Sequence, residues 1–167
     1  MSVDPDKPFP HIPEDIDMVF DLAGSISRKA KSITSAILQS DVVVVPIYNE
    51  LKSINAGIHT IAEVSRFTNN IIVVATKIAK KTKTTKYDNG WMLSIDCTNI
   101  KKMVEAKIDF HVPVLPLKFS KAFDAIFEKE KSIRQIMKGN PLRRYSYREV
   151  AQQFDDLYSF IQKYYAK

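Results

Sequence analysis

The sequence predicts an α/β fold: a mostly parallel sheet flanked by helices. Two observations carry this. Runs of β-branched residues without polar alternation, Asp41-Val42-Val43-Val44-Val45-Pro46-Ile47 and Asn70-Ile71-Ile72-Val73-Val74-Ala75-Thr76, read as strands buried on both faces, as parallel strands are. Between and after them, apolar residues recur every three or four positions, which is the period of a helix. Strand and helix in alternation build a sheet from right-handed crossover units.

Taken in order, residues 1–14 hold Pro5, Pro8, Pro10 and Pro13 without a periodic pattern and form an extended lead-in; 15–167 form a single domain. Ile16–Asp21 is a short apolar run ending in an acid, expected as a strand. A helix follows, with Ser25 as its N-cap and Ile26, Ala30, Ile33 and Ile37 on one face. After the second strand, Leu51, Ile54, Ile58, Ile61 and Val64 make a helical stripe, and the third strand ends at Thr76. Lys77 to Lys86 is a basic stretch, Asn89-Gly90 a turn, and 98–108 a helix. Trp91 and Met92 fall in an exposed turn-strand segment with a packing role. His111–Pro116 is a short fourth strand whose prolines place it at a sheet edge or strand end. Residues 121–138 give one or two helices, Gly139-Asn140-Pro141 is a stop, and Tyr147 to Tyr165 is a long amphipathic helix.

Composition narrows the function classes. A chain of 167 residues with 45% hydrophobic and 26% charged residues suffices for one core. The single cysteine, Cys97, has no internal disulfide partner and suits a reducing cytoplasm. No apolar run reaches membrane-spanning length, and the first residues lack the apolar stretch of a signal peptide. The three histidines lie far apart, there is no CxxC, and no GxSxG surrounds a serine, so a structural metal and serine hydrolysis have no support. The net charge of +6 permits contact with nucleic acid or another anionic surface.

Two features bear on chemistry. In Met18-Val19-Phe20-Asp21-Leu22-Ala23-Gly24, an acid at the end of a buried parallel strand stands where such sheets bind ligands. In nucleotide hydrolases such an acid holds Mg²⁺, and a following glycine lets the backbone approach a phosphate. The same residues also read simply as a strand end before a helix cap. The second feature is basic: Lys77, Lys80, Lys81, Lys83 and Lys86 in one run, and Arg143, Arg144 and Arg148 interleaved with Tyr145 and Tyr147. Either they bind phosphates without reading bases, or they are a solvated loop and helix flank.

The stretch Asp21-Leu22-Ala23-Gly24, Ser40-Asp41-Val42-Val43-Val44-Val45-Pro46-Ile47, Glu50-Leu51-Lys52-Ser53-Ile54 and Ile71-Ile72-Val73-Val74-Ala75-Thr76-Lys77 resembles the ParA/MinD/Soj partition ATPases, over roughly residues 15–120. The resemblance implies a P-loop NTPase-like fold lacking its first βα unit, and a role in plasmid partition or chromosome segregation. It makes Asp21 the catalytic Walker B acid and Mg²⁺ ligand, and Gly24 a switch residue by the γ-phosphate. Thr76, Lys77 and Pro116 would stand at the base-side loop, although the family more often has Asn at the position of Thr76. Asp41 and Pro46 match the family strand in a structural role. ATP and Mg²⁺ are cofactors of the intact family, which works as a DNA-carrying dimer with a partition partner protein. Lys80, Lys81, Lys83, Lys86, Arg143 and Arg144 would then be the nucleic-acid contacts.

The sequence departs from the family in having no GxxxxGK loop. Its glycines, Gly24, Gly57, Gly90 and Gly139, are isolated from one another. The chain is therefore expected to bind no ATP by itself, as a fragment or a degenerate relative. The alternative is a non-enzymatic DNA- or protein-binding module on the same scaffold; a third reading is an unrelated parallel α/β protein such as a flavodoxin-like fold. The last helix carries Glu149, Gln152, Gln153, Asp155 and Asp156 on its polar face, which anionic lipid would repel, so packing is expected there rather than a membrane anchor.

Overall fold

The computed structural model describes residues 7–11, 18–22, 31–83 and 90–165. Three strands, β1 (Val43–Tyr48), β2 (Ile71–Ile78) and β3 (Val114–Lys118), form one all-parallel sheet in the order β1-β2-β3. Six helices are described: α1 (Lys31–Gln39), α2 (Leu51–Val64), α3 (Ile95–Glu105), α4 (Ala122–Lys129), α5 (Ile133–Met137) and α6 (Pro141–Tyr164). The arrangement is compatible with a Rossmann-like sheet.

Alternation along the strands sorts the side chains. Val45 and Ile47 of β1, Ile71, Val73 and Ala75 of β2, and Val114 of β3 turn toward one face. There they pack with Ile54, Ile61 and Val64 of α2, Cys97, Ile100 and Val104 of α3, and Ile37 of α1. Leu117 of β3 points the other way, into a second cluster built from Ala122, Ile133, Val150 and Ala151 of α4, α5 and α6. Helices thus cover both faces of the sheet. Gly57 lets α2 approach β1 closely: a Cβ there would lie 2.5 Å from Cγ1 of Ile47, which is fully buried.

Among the described strands only β2 is buried on both faces, with Ile71 to Ala75 all buried. The expectation that β1 is buried on both faces is corrected: Val44 is 41% exposed and Pro46 is exposed. The reason is position. Among the described residues β1 pairs only with β2, and the second cluster gathers beside β3 at the opposite edge. Pro46 and Pro116, which donate no backbone hydrogen bond, sit on edge strands where that loss is tolerated.

Three further expectations change. Met18–Asp21, the described part of the expected first strand, is irregular chain outside the sheet, with Val19 95% exposed. It is held by side chains instead of a ladder: the Phe20 ring meets Phe9 edge-to-face at 4.6 Å, and Leu22 packs on the main core. The carbonyl of Phe9 accepts from Ser35 Oγ and Gln39 Nε2 on α1, so the lead-in docks there. Second, Gly139-Asn140-Pro141 ends one helix and begins the next. Asn140 caps α6, its Oδ1 accepting from Arg143 N–H at 3.0 Å, and Pro141 fills the first helical position, where its missing donor costs nothing. Third, Trp91 lies in a turn, with no strand from Gly90 to Ser94, and packs against the main core; α3 starts at Ile95, capped by Ser94, and not at 98. Ser25, Ile26 and Ala30 lie outside the described residues. No helix among the described residues is long and apolar enough to cross a membrane.

Candidate nucleic-acid interface

In a parallel sheet every strand delivers its carboxyl end to the same edge, and the connecting segments begin there. Tyr48, Ile78 and Lys118 end the three strands. Past them, Asn49-Glu50, Ala79-Lys80-Lys81-Thr82-Lys83 and Phe119-Ser120-Lys121 start from this edge.

One residue of β2 is raised out of the ladder. Ala75 pairs with Pro116 and Ile78 with Lys118, so β2 carries one residue more than β3 between those pairs, a bulge at Thr76-Lys77. Lys77 adopts a left-handed backbone, φ 56°, costly for a side chain with a Cβ. The bulge turns its ammonium over the ring of Tyr48 at 4.2 Å. A hydrogen bond to Glu50, and its charge, raise the Tyr48 phenol above its ordinary range. Asp96, in the first turn of α3, fastens the neighbouring ends together. Its Oδ1 accepts from Asn49 Nδ2 at 2.8 Å and its Oδ2 from Ala79 N–H at 3.4 Å, while Asn49 Oδ1 accepts from Asn99 Nδ2 at 2.6 Å.

A second knot joins the basic loop to α6. Glu149 accepts from Lys81 Nζ and from Lys118 Nζ, both at 2.8 Å. Both ammoniums lie over the Trp91 ring, at 5.9 and 5.0 Å from its centre. The hydrogen bond from Lys118, then that from Lys81, holds the Glu149 carboxyl down at about 2, against a partial burial that pushes upward. Gln153, one turn on, accepts through Oε1 from the backbone N–H of Lys118 at 2.9 Å. The end of β3 is thereby tied twice to α6.

Beside this knot runs an open groove of about 420 Å³ between the segment after β3 and the first turns of α6. Lys118, Phe119, Ser120 and Lys121 form one wall and Leu142, Arg143, Ser146 and Tyr147 the other. No acidic residue lines it.

The sequence-predicted site residues separate accordingly. Lys77 lies at the carboxyl end of β2 and Lys80, Lys81 and Lys83 follow it; of these Lys81 meets Lys118 at Glu149, and Lys118 lines the groove with Arg143. Arg144 is exposed on the first turn of α6 but does not line the groove. Thr76 sits at the bulge, its Oγ1 donating to Ile47 O at 3.4 Å. Pro116 is buried inside β3, two residues short of the edge. Asp21 lies in the irregular segment between Phe20 and Leu22, at the end of no strand. Gly24 and Lys86 lie outside the described residues. Sequence reasoning missed Lys118, Lys121 and Phe119, although their place at and directly after the end of a parallel strand was a usable signal, and it read Glu149 only as part of the last helix's polar face.

Cys97 stands apart from this edge. It is buried in α3, and desolvation pushes its thiol up to about 11. Comparisons with protein-family models, with curated proteins and with solved structures find no match to this chain.

Proposed function

We propose that this chain is a non-enzymatic module that binds nucleic-acid phosphates, without reading sequence, through the carboxyl edge of its sheet. The observation that carries the reading is convergence. Lys81 after β2, Lys118 and Lys121 at and after the end of β3, and Arg143 of α6 come from three separate parts of the chain and gather at the Glu149 knot and the groove beside it, while Lys77, Lys80 and Lys83 flank Lys81 along the chain. Lys77, Lys80, Lys83, Lys121 and Arg143 have no carboxylate partner among the described residues, so their charge is available to an anion. Binding of this kind releases counterions and weakens steeply with salt. The test is a salt titration of a labelled DNA duplex against the full chain and its Lys80→Ala/Lys81→Ala/Lys83→Ala variant. Log affinity should fall linearly with log salt, and the variant's slope should be shallower by up to about 2, one each for Lys80 and Lys83, since Lys81 is held by Glu149. An unchanged slope would refute the assignment.

A partition ATPase of the ParA type is the second reading. The parallel β1-β2-β3 order with basic residues at its carboxyl edge favours it. The glycines among the described residues do not fit a nucleotide's phosphates. Gly57 is enclosed in α2 against Ile47, Gly139 ends α5 at φ 76° with open space around it, and Gly90 is buried in a turn. None belongs to a loop of successive backbone donors that could cradle phosphates. Calorimetric titration with ATP and Mg²⁺ should give no heat of binding. Saturable binding that disappears in Asp21→Ala would restore the ATPase reading.

A further inference from the structure

We infer that the groove between the β3–α4 segment and α6 takes an unstacked base, so that the nucleic acid bound is single-stranded. The inference rests on the phosphate-binding reading above and names the substrate class of that site. Phosphates alone call for cations; they do not call for a bare aromatic ring among them. Phe119 is 64% exposed, and it directly follows Lys118 and stands two residues before Lys121. Across the groove, Leu142 is 80% exposed and Tyr147 half-buried, with Arg143 between them. Leu142, Arg143, Ser146 and Tyr147 recur at the spacing of one helix face, so the wall is a single continuous surface.

The chemistry of the lining is that of a nucleotide's two halves. Lys121 and Arg143 have no carboxylate partner among the described residues and face a backbone phosphate, while Lys118 is held in place by Glu149 and Trp91. Phe119, Leu142 and Tyr147 offer apolar surface to a base, and the hydroxyls of Ser120 and Ser146 offer polar contacts at its rim. A volume of about 420 Å³ lies at the small end of ligand-sized sites, suited to one nucleotide unit rather than to a duplex. A base within a duplex keeps both faces against its neighbours and presents neither to Phe119; a base in a single strand is free to stack. The lysines following β2 then track the strand's backbone beyond the groove.

The experiment is fluorescence anisotropy on the full chain with a labelled 20-nucleotide single strand, its duplex, the mononucleotide and a polyglutamate competitor. The single strand should bind about tenfold more tightly than the duplex at equal salt. Phe119→Ala should weaken single-strand binding by about tenfold and leave duplex binding unchanged, the loss expected for one stacked base. Phe119→Trp should restore it, which separates stacking from any effect on folding. Equal affinity for both forms, or a Phe119→Ala variant that binds the single strand normally, overturns the inference while leaving phosphate binding in place. The mononucleotide binding as tightly as the strand, or polyglutamate competing as well as DNA, overturns it in favour of a small-molecule site or an acidic protein partner. Neither DNA form binding at low salt overturns both this inference and the reading beneath it.

Discussion

Lys118 Nζ lies 2.8 Å from Glu149 Oε2, joining the last residue of the edge strand β3 to the middle of the longest helix. The Lys118 side chain is only 19% exposed and Glu149 32%, so this pair is better shielded than an ordinary surface ion pair. With Lys81 on the other carboxylate oxygen, one acid holds the loop after β2, the end of β3 and α6 together.

Acid should remove the stability that this joint contributes. The Glu149 carboxyl is lowered from 4.5 to about 2, so the unfolded chain takes up the proton first as pH falls. The contribution is therefore complete above about pH 4.5 and lost as pH drops toward 2. Solvent screening keeps it to about 1–2 kcal/mol. Urea midpoints of wild type and Glu149→Gln should differ by that amount at pH 7 and converge near pH 2.

Gly57→Ala should destabilise the protein even though alanine is the better helix former. The helix gains about 1 kcal/mol from the exchange, but overpacking a filled core costs about 1–3 kcal/mol, and Ile47 has no exposed space to move into. A net loss of about 1 kcal/mol is expected in chemical denaturation. A stabilised variant would show that α2 can move away from β1.

Lys77→Gly should act in the opposite direction. The left-handed backbone at φ 56° is unfavourable for lysine by about 1 kcal/mol and free of that penalty for glycine. The variant should be more stable by about that amount and bind nucleic acid more weakly, since it removes a cation from the edge. Denaturation and anisotropy on the same sample check both signs.

Cys97 should resist thiol reagents at pH 8. Its thiol is pushed up to about 11 and its side chain is buried, so neither thiolate nor access is available in the folded protein. Labelling by a disulfide reagent should be slow in buffer and rapid in denaturing urea.

The strands were legible because Val43–Ile47 and Ile71–Ala75 are long β-branched runs whose chemistry admits few other structures. The helices α2 and α3 followed from their apolar spacing. Met18–Asp21 departs from the expected strand because an apolar run makes a strand only where a neighbour offers a ladder, and Phe20 and Leu22 found side-chain partners instead. At Asn140-Pro141 the same residues that stop one helix start another, so α6 begins six residues before the expected Tyr147. The carboxyl-edge site was legible only in part. The basic run after β2 was plain, but Lys81 and Lys118 meet Glu149 across 68 and 31 residues of chain, and no local pattern encodes such a meeting.

The sheet also hangs on one strand. β1 and β3 each pair with β2 and not with one another, so every interstrand bond described in this fold has one end on Ile71–Ile78 or the residues flanking it. Either outer strand can peel away and leave a two-stranded ribbon, whereas freeing β2 dismantles all three at once. Its backbone hydrogens, from Ile72 to Ala75, should therefore be the last to trade for deuterium, at the rate of whole-molecule opening.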